Sequence, residues 1–289
     1  MEPLNKMNEL RTLLTPGRAT LIPGAPNALT ARIAQTVGYE VVMLTGAGFA
    51  NTYLGAPDIG LTTLTEVADQ LARMRDVVQI PIIVDGDTGF GNSLNVMRTV
   101  RLFERSGADA IQLEDQTFPK GCGHFEGKSV IPVTEMVQKI KAAVDSRSRD
   151  TLILARTDAY AVEGLSGALD RAQQYVEAGA DLLFIEAPKL KWDLARIPKE
   201  VLAPHICNVV FGGQTPALTQ QELAELGFAG VIYANAALQA AMLSMESVLT
   251  HLKEFGHLGG CEDQLISFAK RQQHVGHDIW AGYEKKYAI

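Results

Sequence analysis

Two carboxylates two residues apart are the sharpest chemical feature of this 289-residue chain, in the run Val84-Asp85-Gly86-Asp87-Thr88-Gly89-Phe90-Gly91-Asn92. Side chains alternate along an extended segment, so Asp85 and Asp87 would share a side. Held close, they repel unless a cation or a proton lies between them. No Cys or His stands beside them, and hard oxygen ligands point to Mg²⁺, with Mn²⁺ as the other candidate. Glu114 closes the next apolar run and could join the ion directly or through water. Gly86, Gly89 and Gly91 are expected to let backbone approach a ligand. A solvated acidic turn is the plain alternative for each acid taken singly.

A second cluster lies in Leu113–Pro132, where Lys120, Cys122 and His124 alternate with glycines. A structural cysteine is normally buried among apolar neighbours, whereas this one stands among glycines and charges. Flanking cations lower a thiol's pKa, and a thiol so tuned serves as a nucleophile or an acid–base group. The segment is too long for a tight turn, and Gly121, Gly123 and Gly127 give it the freedom a lid needs. Arg156, at the end of Thr151–Arg156, can grip a carboxylate at two points, or pair with Glu186 or Asp158.

Something must bring these groups together. Four stretches share one design, at 32–46, 102–115, 175–187 and 223–234: a helix tail, a glycine, then a short apolar run. Glycine just past a helix supplies its left-handed terminator. Apolar runs of about five residues fit strands buried on both faces, as in parallel sheets. Further strands are expected at 19–25, 81–87, 151–157 and 205–210. Helices are expected at 27–38, 63–74, 93–107, 133–146, 165–179, 218–227 and 237–256, with a weaker one at 189–200. Eight strands alternating with helices predict a (β/α)8 barrel, whose sites form at the C-terminal strand ends. Those ends read Thr45-Gly46, Asp85 and Asp87, Glu114 and Asp115, Arg156 with Asp158, Glu186, Asn208 and Tyr233. An open doubly wound sheet would carry a glycine-rich phosphate loop after its first strand, and Ile22–Thr30 is no such loop. The barrel is expected to span 1–256. Residues 257–289 form a helical extension whose Trp280, Tyr283 and Tyr287 suit packing on another subunit or on its own barrel.

The bulk properties agree. The chain is 47% hydrophobic and 20% charged, with a formal net charge of −7. That balance argues against nucleic acid or anionic membrane as main partner. Three widely spaced cysteines make neither a disulfide framework nor a zinc pattern, and no apolar run approaches a membrane span. A cytoplasmic protein is expected. His205, His251, His257, His274 and His277 have no partners in sequence and read as structural or surface residues.

Taken in order, "VDGDTGFGN", "LEDQ", "KGCGH", "ILARTDA", "FIEAP" and "GGQTP" resemble the motifs of the isocitrate lyase and phosphoenolpyruvate mutase superfamily over nearly the whole chain. The resemblance implies an α/β barrel, a homotetramer with a helix exchanged between subunits, and Mg²⁺-dependent handling of oxo and hydroxy acids through enolates. It implies a metal site of Asp85 and Asp87, with Asp58 and Glu114 close by and acting mostly through water. Thr45, Gly46 and Ala47 would hold a pyruvate-like part and Arg156 a substrate carboxylate. Glu186, Asn208 and Thr215 would line the remaining pocket. Cys122 falls at the catalytic cysteine position, flanked by Lys120 and His124. Lyases of the superfamily carry this cysteine loop, whereas the mutases and phosphonopyruvate hydrolases lack the cysteine, so a retro-Claisen lyase is implied. Three departures bear on the substrate. Gly121 stands for the usual Arg or Lys, Phe125-Glu126-Gly127 for the Arg-Pro-Asn of 2-methylisocitrate lyases, and Met43 for an aromatic residue. They favour a smaller, more apolar substrate such as 2,3-dimethylmalate, ahead of 2-methylisocitrate. An oxaloacetate acetylhydrolase is a third reading, weakened by Tyr233-Ala234-Asn235 where such enzymes favour a serine.

Overall fold

The computed structural model describes residues 9–121, 123 and 127–288. Eight parallel strands, each followed by helix, form a nearly closed barrel. They are β1 (Thr20–Pro23), β2 (Val42–Leu44), β3 (Ile82–Asp85), β4 (Ala110–Glu114), β5 (Leu152–Thr157), β6 (Leu182–Ile185), β7 (His205–Asn208) and β8 (Gly230–Tyr233). The strand order is β1-β8-β7-β6-β5-β4-β3-β2. The gap between the two ends of that series is spanned by a parallel bridge from Gly24 to Met43 and by the Ala25 N–H donating to the Met43 carbonyl at 2.8 Å.

Local chemistry sets the helix boundaries. The helices are α1 (Ala28–Val37), α2 (Gly46–Leu54), α3 (Leu64–Val77), α4 (Ser93–Ser106), α5 (Val133–Ser146), α6 (Tyr160–Glu177), α7 (Lys191–Glu200), α8 (Gln220–Leu226), α9 (Ala236–Phe255), α10 (Phe268–His274) and α11 (His277–Tyr287). Asn27, Thr63, Asn92 and Thr219 each cap a helix start through their side-chain oxygens. Gly38, Gly107 and Gly227 end theirs in the left-handed conformation. Two elements depart from the sequence expectation. α2 was not expected, and α6 starts at Tyr160 rather than 165, with a kink at Gly164 (φ 74°).

The strands alternate between two apolar layers. One face of each strand packs under the helices, as with Ile82, Val84, Ile111, Ile153 and Val231. The other fills the barrel interior with Ile22, Val41, Ile83, Ala110, Leu152, Leu154, Leu182, Ile206 and Ile232, and Leu10 and Leu14 plug its N-terminal end. One step further along the inward rows the residues change kind, to Asp85, Gln112, Glu114, Arg156, Glu186 and Asn208. The interior is therefore a dry core below and a polar chamber above. Among the described residues, no helix is long and apolar enough to cross a membrane.

Candidate active site

A small cavity opens at the C-terminal end of the barrel. Met43, Thr45, Gly46, Ala47, Asp58, Asp85, Arg156, Glu186 and Asn208, all expected from sequence to face the site, line it, together with Gln112, Gly123, Phe184, Val210, Ile232, Ala234 and Asn235. Thr215 is buried but does not line it. Cys122, His124, Phe125 and Glu126 lie outside the described residues.

β3 delivers the paired acids. Asp85 accepts hydrogen bonds from the Gly46 N–H (3.2 Å), the Asp87 N–H (3.1 Å) and Gln112 Nε2 (3.0 Å). A Cβ on Gly46 would lie 2.9 Å from Asp85 Oδ2 and 3.2 Å from Asp87 Oδ1, so both carboxylates converge on the start of α2. Asp87 holds this place at a positive φ of 48°, and Phe90 and Ala187 on the same rim are also positive. Such strain gathers at functional sites. The neighbouring glycines work differently from the sequence expectation. A Cβ on Gly86 would strike the Gln112 carbonyl at 2.7 Å, and one on Gly89 would strike Val96. They permit close packing of the loop on its own barrel.

The Lys120 ammonium, expected beside the Cys122 thiol, is buried between Asp58 Oδ1 (2.5 Å) and Asp87 Oδ1 (2.8 Å). Burial pushes the Asp87 carboxyl up to about 7; Lys120 opposes that shift, while Asp85 and Asp58 add to it. Burial also raises Glu114 well above the usual carboxylate range, against the pull of Arg156 and Lys120. For Lys120, burial is outweighed by Asp87, Glu114, Asp85 and Asp58, which hold it charged far above neutral pH.

Arg156 occupies the opposite wall. Its guanidinium contacts Asp158 (2.9 Å), Glu186 (3.2 Å) and Glu114 (3.3 Å), and its Cζ lies 5.3 Å from the Phe184 ring centroid. The ion pairs with Glu186 and Asp158 that the sequence offered as alternatives to ligand binding are both present. Behind this wall Asp115 accepts from Thr157 Oγ1 (2.7 Å), Tyr175 Oη (2.7 Å) and the Asp158 N–H (2.9 Å), which fixes the end of β5.

Thr45 Oγ1, Gln112 Oε1, Glu114 Oε1, Asn208 Oδ1 and Asn235 Oδ1 are buried and accept no hydrogen bond from any described residue. Groups of this kind are normally satisfied, and a cluster of unsatisfied acceptors around one cavity calls for a ligand that brings donors or positive charge. Among the described residues no three acids or histidines meet tightly enough to grip an ion alone. The donor set nevertheless fits a hard divalent cation held largely through its water shell, since Asp85 and Asp87 supply paired carboxylates and Glu114 and Gln112 offer open oxygens to bound water. Gln112 was not singled out in the sequence, and Asn235 entered only through Tyr233-Ala234-Asn235, not as a site residue. Gln112 sits inside an apolar run, and Asn235 lies two residues past the end of β8.

Comparison with known proteins agrees with this geometry. Residues 10–253 match the family described as Phosphoenolpyruvate phosphomutase. The chain is 40% identical over 286 residues to the 2,3-dimethylmalate lyase of Eubacterium barkeri, covering 99% of each. It is 42% identical over 289 residues to the 2-methylisocitrate lyase of Aeropyrum pernix, covering 99% of this chain and 92% of the other. Among solved structures, an oxaloacetate acetylhydrolase in complex with the product oxalate superposes with a TM-score of 0.92 at 29% identity, over 100% of both chains. A phosphonopyruvate hydrolase in complex with oxalate and Mg²⁺ gives 0.88 at 29%, over 98% of this chain and 99% of that one.

Proposed function

This chain belongs to the phosphoenolpyruvate phosphomutase family and is a carbon–carbon lyase, and from that premise we propose that it cleaves 2,3-dimethylmalate to pyruvate and propionate. The observation that carries this is the cavity itself. It sets one guanidinium opposite a crowded group of acids, over a wall of Met43, Phe184, Val210 and Ile232. A third carboxylate, as in 2-methylisocitrate, would need a second cation on the lining, where Arg156 is the one Lys or Arg among the described residues. Among the described residues, the buried Lys120 already contacts two acids.

Asp85 and Asp87, with Asp58 and Glu114 through water, would hold Mg²⁺, or Mn²⁺ in its place. The bound ion would lower the pKa of the substrate hydroxyl. Arg156 binds a substrate carboxylate, its side chain held in place by Asp158 and Glu186. Thr45 Oγ1 and the Ala47 N–H, at the N-terminus of α2, bind the pyruvate-forming part beside Gly46, whose own N–H donates to Asp85, and the helix end favours negative charge there. Asn208 completes the polar lining, and Thr215 lies buried outside it. Loss of the hydroxyl proton lets the adjacent carbon–carbon bond break. The electron pair moves onto the second fragment as an enediolate, which Cys122 protonates on carbon, aided by Lys120 and His124.

Pyruvate release tests the assignment, followed through a coupled dehydrogenase from 2,3-dimethylmalate, 2-methylisocitrate, isocitrate and oxaloacetate, with Mg²⁺ and with EDTA. Metal-dependent pyruvate from dimethylmalate above the others is expected. Preference for 2-methylisocitrate would move the chain to the lyases of that substrate. Oxaloacetate consumed to oxalate without pyruvate would make it an acetylhydrolase.

The same reading includes a cytoplasmic homotetramer with an exchanged helix. α9 buries only Leu238 and exposes Met242, Leu243, Met245 and Leu249. The apolar groove between α1 and β8, lined by Leu21, Ile33, Val37, Tyr39 and Tyr233, is where a barrel's eighth helix belongs. A second copy's α9 fits that groove. Light scattering coupled to size exclusion would reveal a monomer if this is wrong.

A further inference from the structure

One buried cation has no part in the reading above. The Lys128 side chain is 4% exposed, although it lies in the long segment after β4, where a lysine is normally solvated. Its ammonium lies 2.9 Å from Asp158 Oδ1 and also donates to the Gly123 carbonyl. The fully buried Asp158 in turn spans Arg156, accepting from Nε at 2.9 Å and from Nη2 at 3.2 Å. Arg156 thus faces three carboxylates, Asp158, Glu114 and Glu186. A lone guanidinium so surrounded would present a net negative field to an incoming carboxylate. Gly123 lies against the same group, since a Cβ there would fall 2.3 Å from Arg156 Nη2 and 2.5 Å from Glu186 Cγ. Lys128 is therefore the contact through which Asp158, Arg156 and the Gly123 backbone share one arrangement.

We propose that Lys128 is a positioning residue for the carboxylate-binding arginine. By pairing with Asp158 it offsets one of the three carboxylates that compete for Arg156, and by holding the Gly123 carbonyl it seats that backbone on the arginine. The inference rests on Arg156 binding a substrate carboxylate, as proposed above. A charged pair placed only for stability would leave ligand affinity unmoved.

The test uses the full chain and the Mg²⁺–oxalate pair as probe, by titration calorimetry, so it does not depend on which hydroxy acid is cleaved. Lys128→Met is expected to bind oxalate about tenfold more weakly or worse. It should raise KM more than it lowers kcat, and speed hydrogen exchange in residues 116–131 but not in the barrel strands. Combined with Asp158→Asn, its loss should be smaller than the sum of the two single losses, as for groups in one network. Lys128→Gln, which keeps a donor for the Gly123 carbonyl without the charge, should show the affinity loss with less change in exchange; it also serves if Lys128→Met fails to fold. Oxalate affinity within roughly twofold of the parent in either variant, or losses that simply add with Asp158→Asn, would overturn the proposal. Failure of every hydroxy acid to react, with the oxalate effect intact, would instead sink the lyase substrate and leave Lys128 in its role.

Discussion

The two ends of the barrel use the same residue type to opposite ends. At the N-terminal end, Asp109 stands just before β4 and accepts the Ile82 N–H at 2.8 Å together with the Arg75 guanidinium. Asp181, just before β6, accepts the Ile153 N–H at 2.9 Å, Arg147 at 2.8 Å and Arg11 at 3.0 Å. Each acid there has its own cation and closes a strand edge. At the C-terminal end Asp58, Asp85, Asp87 and Glu114 crowd around the single Lys120, and Glu114 keeps a buried oxygen without a donor among the described residues. Acids with partners stabilise; acids in excess of their partners wait for a ligand.

That contrast breaks most visibly at Asp87. Asp87→Asn is expected to lower kcat/KM by about 10²–10³, the usual cost of removing one preorganised electrostatic group. Stability in EDTA should change by less than about 1 kcal/mol, because relief of repulsion from Asp85 and Asp58 offsets the lost Lys120 contact. A large stability loss with modest kinetic change would make Asp87 a structural acid like Asp181.

The pH dependence of stability sharpens the same comparison. His205 opens β7 at the N-terminal end, with Nε2 2.9 Å from the Val201 carbonyl, and burial holds it down at about 4. Between pH 6.5 and about 4 the unfolded chain takes up a proton that the folded chain refuses. Its contribution is therefore intact above that window and lost as pH falls through it, by about 3 kcal/mol. Asp87 has the opposite sign. Pushed up to about 7, it lets the folded state bind the extra proton, so stability falls as pH rises from about 4 toward 7. Denaturant unfolding across this range should lose its acid-side decline in His205→Gln and its neutral-side decline in Asp87→Asn. Unchanged profiles would show that neither group titrates as placed. The smallest effect is at Asp181. Asp181→Ala should cost about 2 kcal/mol of stability by stranding the Ile153 N–H and removing a carboxylate from Arg147 and Arg11, which keep the Thr151 carbonyl and Asp150, with kcat/KM within about twofold of the parent.

Much of this division was legible in the sequence. The glycine after a helix tail and before an apolar run, at Gly107 ahead of β4 and Gly179 ahead of β6, marked strand starts. Asp85, Glu114, Arg156, Glu186 and Asn208 stood out because each follows an apolar run and so falls on one rim. What escaped notice did so for physical reasons. α2 follows β2 without a connecting loop, Thr45 makes no side-chain capping bond, and its glycines argue against a helix. Gln112 reads as a polar interruption of a core strand until its hydrogen bond to Asp85 is seen. Lys128 reads as a solvated loop residue, because only tertiary structure brings Asp158 to it.

The central claim is that the crowded acids at the C-terminal rim hold a divalent cation. Calorimetric titration of Mg²⁺ into the protein near neutral pH tests it directly, beside Asp85→Asn and Asp87→Asn. The account predicts a single saturable site in the parent that is lost or strongly weakened in both variants. No binding in the parent, or equal binding in all three proteins, would contradict it.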